Sequence, residues 1–374
     1  MKVGIEVQRI FRPKKHGMEV VALEIIKQIQ LLDLKNQYTL YAKDDADRKC
    51  LSETFNFKIK TLPSKTYADW EQISLPKGIK DEDLDFLHCT CNTAPLRSNK
   101  PLLLTLHDII YLEKLDFKGT AYQNFGNLYR RFVVPRVVDQ SRFIITVSNY
   151  EKEVILEKLN LPEDKVKVVY NAVNERFKDN FTSEEKANFR IKYHLPERYL
   201  LFLGNTAPKK NTQSVIQAFS DYCESTKEII PLVILDFDKI QVLEMLGKMG
   251  KSKFISDIIF PGYVSPDEMP LMYSSCHIFL YPSLRESFGL PILEAMGCGA
   301  PVITSNTSSM PEVAGDAAIF IDPLKSNEIT EAIRLLSANE SRRLELIKKG
   351  LERSSLFTWK SSAEKVLDIY SKMV

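Results

Sequence analysis

Short apolar runs alternate with longer amphipathic stretches along the whole of this 374-residue chain, and that alternation admits few folds. A strand apolar on both sides must be covered on both faces, which is the condition of a parallel sheet whose crossovers are helices. In the first half the strand candidates are Val3–Val7, Tyr38–Ala42, Phe86–Cys89, Leu102–Leu106, Phe143–Val147 and Val166–Tyr170. In the second they are Tyr199–Leu203, Leu232–Leu235, Ile258–Phe260, His277–Tyr281, Pro301–Thr304 and Ala318–Ile321. Helices are expected over Met18–Leu32, Ala121–Val138 and Asn149–Lys158, and between the strands of the second half. The charged stretch Val173–Leu195 shows no strand pattern and reads as a connection between domains. The chain is too long for one ordinary core. Two Rossmann-like α/β domains are expected, over 1–175 and 176–356, with ligands bound beyond the C-terminal ends of the strands.

Bulk properties exclude several function classes. The net charge is +2, divided as +4 over residues 1–180 and −2 over the rest, too little to argue for nucleic acid. The N-terminus reads as a first strand rather than a signal peptide, and no apolar run approaches the roughly 20 residues of a membrane span. Six cysteines without framework spacing fit free thiols in a reducing cytosol. The expected location is cytoplasmic, compatible with a peripheral contact on the inner face of the plasma membrane.

The most informative segment is Glu286-Ser287-Phe288-Gly289-Leu290-Pro291-Ile-Leu-Glu294-Ala-Met-Gly-Cys-Gly-Ala-Pro-Val-Ile-Thr304. It sets one carboxylate in a loop, then a Gly-Leu-Pro turn, then a second carboxylate one turn into a helix. Pro291 suits the first helical position, and Gly289 permits close approach of a ligand to the backbone. The N–H groups of Phe288, Gly289 and Leu290 then form an anion site. Side chains lean toward the helix start, so Glu294 reaches back beside that anion. A carboxylate there repels phosphate unless it accepts hydroxyl hydrogen bonds, and phosphate beside a polyol describes a nucleotide sugar.

This segment resembles the E-x7-E donor motif of retaining GT-B glycosyltransferases, especially family 4. The resemblance implies that Glu294 holds ribose hydroxyls, that Glu286 lies near the transferred sugar, and that Ser287–Leu290 meets the diphosphate. Leu201-Phe-Leu-Gly204-Asn205-Thr-Ala-Pro-Lys209-Lys210-Asn211 also resembles a family block, which places Gly204, Asn205 and Lys210 at the diphosphate. Asn205 departs from the family's usual arginine. Phe260-Pro-Gly-Tyr263-Val264 resembles the segment lining the base pocket, and Pro311-Glu312-Val-Ala-Gly315 fits a further motif. In the first half, Leu106-His107-Asp108 matches the family's H-D beside the transferred sugar, so His107 is expected at the cleft edge and Asp108 on the acceptor side. Gly17 stands where the family carries a glycine-rich loop. A helix over 357–374 is expected to cross back onto the N-terminal domain, with the two domains facing across a cleft.

Three other constellations compete for attention. Asp236-Phe-Asp238 follows a strand and has the spacing of a metal pair; metal-free chemistry is the expectation nonetheless. His88-Cys89-Thr-Cys91 lacks the second ligand pair a zinc site needs. Tyr122, Phe125, Tyr129 and Phe132 recur at helical spacing beside Arg130, Arg131 and Arg136, which reads as a core stripe with a solvated basic face rather than an interfacial helix.

The function these features imply is retaining transfer of a hexose, mannose or glucose in type, from a UDP- or GDP-linked donor to a hydroxyl of a glycan or lipid-linked glycan. No cofactor is expected beyond that co-substrate, and no metal. His107, Lys210 and Glu286 are the expected catalytic residues. A nucleotide-sugar epimerase of the same fold would need acid and base carboxylates that the motifs do not supply. A two-lobed sugar-binding protein of transport type would need an export signal.

Overall fold

The computed structural model describes residues 1–15, 17–113, 121–204 and 206–374, leaving aside the side chains of residues 121–123. The chain forms two compact units, Met1–Asn171 with Trp359–Val374, and Ala172–Thr358.

The first unit carries β1 (Lys2–Glu6), β2 (Gln37–Ala42), β3 (Phe57–Thr61), β4 (Phe86–Cys89), β5 (Leu102–Thr105), β6 (Ser141–Thr146) and β7 (Val166–Val168). Their order is β3-β2-β1-β4-β5-β6-β7 and every neighbouring pair is parallel. Strands β4 and β5 are buried at every position, which is why they read as unbroken apolar runs. Alternate side chains feed the two faces. Val3, Ile5 and Leu103 pack with the helices Gly17–Leu32 and Trp359–Ser371, whereas Leu87, Leu104 and Ile144 pack with Val133, Val134 and Val137 of the helix Ala121–Gln140.

The terminal helix is fastened by polar groups as well as by area. Tyr370 is fully buried, and its hydroxyl lies 2.7 Å from His88 Nδ1, while His88 Nε2 lies 2.8 Å from Thr105 Oγ1. Burial pushes the His88 imidazole down to about 3, so the ring is neutral and bonded at both nitrogens. Zinc ligation by His88-Cys89-Thr-Cys91 is therefore foreclosed at His88, and all six cysteines are free thiols.

The second unit carries β8 (Leu200–Leu203), β9 (Leu232–Leu235), β10 (Ile258–Ile259), β11 (Ile278–Tyr281), β12 (Val302–Ser305) and β13 (Ala318–Ile321), in the order β10-β9-β8-β11-β12-β13, again all parallel. The order reverses between β8 and β11, and in the first unit between β1 and β4. Each reversal opens a crevice at the strand ends where ligands of such sheets bind.

Two expectations need correction. Val173–Leu195 is not a bare connection, because Thr182 and Glu185 form a capping box that opens the helix Ser183–Lys192 and buries Phe189. The aromatic stripe is not core either. Phe125 and Phe132 are exposed with Leu128, the buried face being Val133, Val134, Val137 and Val138; the Tyr122 side chain lies outside the described residues. No helix among the described residues is long and apolar enough to cross a membrane.

Candidate functional site

Two loops meet at the reversal point of the second unit. After β8, Gly204 ends the strand where a side chain has no room, since an added Cβ would fall 2.7 Å from Phe237 Cβ and 2.9 Å from the Leu235 carbonyl. A short 3-10 turn, Pro208–Lys210, follows and ends on Asn211 in a left-handed conformation. The Asn211 amide donates to the carbonyls of Pro282 (3.1 Å) and Pro323 (2.7 Å), and Leu284 N–H donates to the Lys209 carbonyl at 2.7 Å. These bonds stitch the lysine turn to the loop after β11.

That loop carries Glu286. Its backbone is clamped by two serines: Ser308 Oγ accepts from Glu286 N–H at 3.0 Å and donates to the Glu286 carbonyl, and Ser309 Oγ reaches the carbonyls of Glu286 (2.9 Å) and Phe288 (2.8 Å). The Glu286 side chain is buried, with Lys210 Nζ 2.8 Å from Oε1 and Lys209 Nζ 3.6 Å from Oε2. Tyr281 completes the group, receiving a 3.1 Å hydrogen bond from Lys210 Nζ, which also stands 4.8 Å from its ring centroid. Burial alone would raise the Glu286 carboxyl. The charges of Lys210 and Lys209, with hydrogen bonds from Lys210 and Tyr281, outweigh it and hold the carboxyl below its usual range.

The helix Leu290–Gly297 begins beside this group. Gly289 has φ +103°, a conformation that side-chain-bearing residues rarely adopt, so its glycine is required by the turn. Leu290 is the first helical residue and Pro291 the second, one place later than expected. Phe288 is buried, and its backbone and that of Gly289 enter the helix start. Glu294 keeps partial exposure, yet its carboxyl is lodged deeply enough that burial raises it to about 7, against the opposing influence of the Tyr273 hydrogen bond (3.2 Å) and Arg176. Tyr273 is itself fully buried, while Val264 is nearly so and Tyr263 is largely exposed. The arrangement offers cationic charge, a helix N-terminus and a hydroxyl-accepting carboxylate in succession, a set suited to a phosphorylated polyol.

Other expected residues fall elsewhere. Asn205 lies outside the described residues, and Ser287 adjoins Glu286 within the clamped loop. Asp238 accepts from Ile240 N–H (2.8 Å) and Gln241 N–H (3.2 Å), so its carboxylate caps the helix Lys239–Lys248. Among the described residues no group of three metal-ligating side chains comes together. In the first unit, Gly17 opens the helix Gly17–Leu32, with open space where a Cβ would stand. Asp108 Oδ1 accepts from Ile110 N–H at 3.2 Å.

His107 is 6% exposed, with its ring Nε2 2.9 Å from the Thr90 carbonyl and its backbone N–H donating to Asn92 Oδ1. Burial lowers its pKa, so Nε2–H of a neutral ring donates to that carbonyl. Tyr281, Asn211, Ser308 and Ser309 were missed as site-building residues. Tyr281 was hidden inside an apolar strand, and the serine pair was visible only as a prelude to Pro311-Glu312.

Residues 16–177 match the family model "Glycosyltransferase Family 4", and residues 183–353 match "Glycosyl transferases group 1". The chain is 31% identical over 236 residues to the O-antigen chain mannosyltransferase B of Escherichia coli, covering 62% of this chain and 61% of that one. It is 29% identical over 272 residues to the serotype-specific mannosyltransferase WbdA of the same organism, covering 72% of this chain and 33% of that protein. The chain thus spans between a third and about three-fifths of these relatives. Among solved structures, Anabaena Alr3699/HepE in complex with UDP and glucose matches with TM-score 0.75 at 17% identity over the full length of both chains. WaaG, a glycosyltransferase involved in lipopolysaccharide biosynthesis, matches with TM-score 0.70 at 15% identity over 98% of this chain and 99% of that one. At these identities the likeness is one of fold.

Proposed function

The chain belongs to the group 1 glycosyltransferases of family 4 type and has their GT-B fold of two Rossmann-like domains, and from that premise we propose that it moves a hexose from a nucleoside diphosphate to a hydroxyl of a growing glycan, with retention at the anomeric carbon. The observation that carries this reading is the joining of Lys210, Glu286 and the start of the helix Leu290–Gly297 at the reversal point of the second sheet.

In the reaction the bond from the anomeric carbon to the diphosphate breaks and a bond to the acceptor oxygen forms, the acceptor proton passing to the departing phosphate. Negative charge grows on that phosphate. Lys210 and the N–H groups at Gly289 and Leu290 meet it, and groups fixed before the reaction stabilise charge without reorganising. Glu286 keeps the two lysines in place, and Glu294 accepts the ribose hydroxyls. Because lysine and helix start supply the positive potential, and Asp238 is committed to a helix cap, the reaction is read as metal-independent and free of any further cofactor.

Relatives named as O-antigen mannosyltransferases favour mannose as the sugar and a surface glycan, lipid-linked in its growing form, as the acceptor. A cytoplasmic location follows from that chemistry. The exposed Leu128 and Phe132, with Arg131 and Arg136 on the same helix, suit a peripheral contact with anionic lipid.

The test is incubation with GDP- and UDP-linked hexoses and neutral oligosaccharide acceptors, with products followed by mass spectrometry and anomeric configuration by NMR. Transfer with retained configuration is expected. Interconversion of the nucleotide sugar without acceptor would instead identify an epimerase.

A further inference from the structure

The loop that ends on Gly289 is held from behind by a part of the chain that carries none of the expected donor residues. The helix Glu340–Ser355 lies against the helix Leu290–Gly297 so closely that an added Cβ at Gly350 would fall 3.1 Å from Met296 Cγ. From its last turn and the residues just after it, two side chains, Arg353 and Phe357, act on Phe288 by different routes.

The first route runs through a neighbouring helix. Arg353 donates through Nε to the Val313 carbonyl at 2.9 Å and through Nη2 to the Glu312 carbonyl at 2.6 Å. Those carbonyls belong to the last turn of the short helix Met310–Ala314, where helical N–H groups no longer meet them. The guanidinium therefore fixes that helix at its end. Ahead of its start stands Ser309, fully buried, whose hydroxyl reaches the carbonyls of Glu286 and Phe288.

The second route is direct. The Phe357 ring meets the Phe288 ring edge to face, with centroids 5.8 Å apart and planes at 71°. Both side chains are buried. Arg353 joins the two routes, since its guanidinium lies 5.0 Å from the Phe357 ring centroid. The Phe357 carbonyl accepts from Val173 N–H at 3.3 Å, which ties this brace to the stretch where the second unit begins. Phe288 is held by its ring and by its carbonyl, and Gly289 follows it directly. A glycine has no side chain of its own to pack, so its neighbours set where its N–H points.

We propose that Arg353 and Phe357 are positioning residues for the transfer, aiming the N–H groups of Gly289 and Leu290 at the departing phosphate without touching the donor themselves. The inference rests on the transferase reading and extends it to residues that no donor motif contains. Fixed N–H groups stabilise charge only where they point, and a misplacement of about 1 Å costs a reaction about 100-fold.

The experiment is calorimetric titration of the full chain with GDP, UDP, GMP and UMP, because only the diphosphates present the phosphate that leaves. The quantity read is the affinity added by the second phosphate. Phe357→Ala and Arg353→Ala should each lower that increment about three- to tenfold. Monophosphate binding should stay within about twofold of the parent, since its ribose contact with Glu294 is untouched, and it shows that the variants are folded. Phe357→Tyr, which keeps the ring, should restore the increment. An unchanged increment in both alanine variants, or a parallel loss of mono- and diphosphate affinity, would overturn the proposal, as would a tyrosine variant no better than alanine. If Phe357→Ala does not fold, Arg353→Ala decides, its side chain being only half-buried. If diphosphates bind the parent but the increment ignores both residues, this proposal alone fails; if no nucleoside diphosphate binds the parent, the transferase reading fails with it.

Discussion

Lys210 Nζ stands 2.8 Å from Glu286 Oε1, so a residue after β8 and a residue after β11 are joined by an ion pair at the point where the strand order reverses. The pair is largely buried and shares Tyr281 as a neighbour, so the lysine is held before any ligand arrives. A charge held in this way serves the leaving group more than the bound ground state. Lys210→Ala should therefore lower kcat by about 100-fold, with a much smaller loss of nucleoside-diphosphate affinity. Steady-state kinetics beside calorimetry will show the split, and equal losses in both would reduce the lysine to an anchor.

Glu294 gives the site a pH dependence. Its carboxyl is raised to about 7, so it is neutral below that pH and ionised above it. Ribose hydroxyls bind the ionised form better, so nucleoside-diphosphate affinity should climb as pH rises from about 6 to about 8. In the ligand-free protein the sign is opposite. A carboxyl whose folded pKa is raised stabilises the fold below its unfolded value, and that contribution is lost as pH rises through about 7. Glu294→Gln should flatten the affinity profile. A profile of unchanged slope in that variant would place the titrating group elsewhere.

Metal independence is open to direct test. Transfer should survive excess EDTA, and Asp238→Asn should change turnover by less than about tenfold, since asparagine caps a helix about as well as aspartate. Loss of activity in EDTA with recovery in manganese would move Asp236 and Asp238 into the chemistry.

The terminal helix offers a control in the other unit from the donor residues. Tyr370→Phe removes the hydroxyl that His88 Nδ1 meets in a fully buried setting. Denaturant unfolding should show a loss of about 1–3 kcal/mol, with GDP or UDP affinity unaltered. A variant as stable as the parent would mean that the hydroxyl contributes nothing to fastening the helix.

Much of this was legible in the residues themselves. Runs such as Leu102–Thr105 and Leu232–Leu235 announce strands because both faces of each sheet are covered. Gly289 and Glu294 announce a turn and a carboxylate because few other sequences put those groups at a helix start. Edge strand β3 was missed because Lys58 and Lys60 interrupt it, as solvent at a sheet edge allows. The partners of His107 were not legible, because a histidine after a strand faces inward or outward according to what covers it, and here Thr90 and Asn92 bond to it. The contacts of Glu71 and Gln8 could not be assigned because their partners, Tyr129 and Tyr67, are 58 and 59 residues away in the chain.

The most direct measurement is calorimetric titration of GDP and UDP in the presence of EDTA, against the parent protein and Glu294→Ala. One nucleoside diphosphate should bind at one site per chain, and the substitution should weaken it by about 1.5–3 kcal/mol, roughly 10- to 100-fold. Absence of binding by either nucleotide, or equal affinity in the variant, would contradict the assignment of this site to a nucleotide sugar.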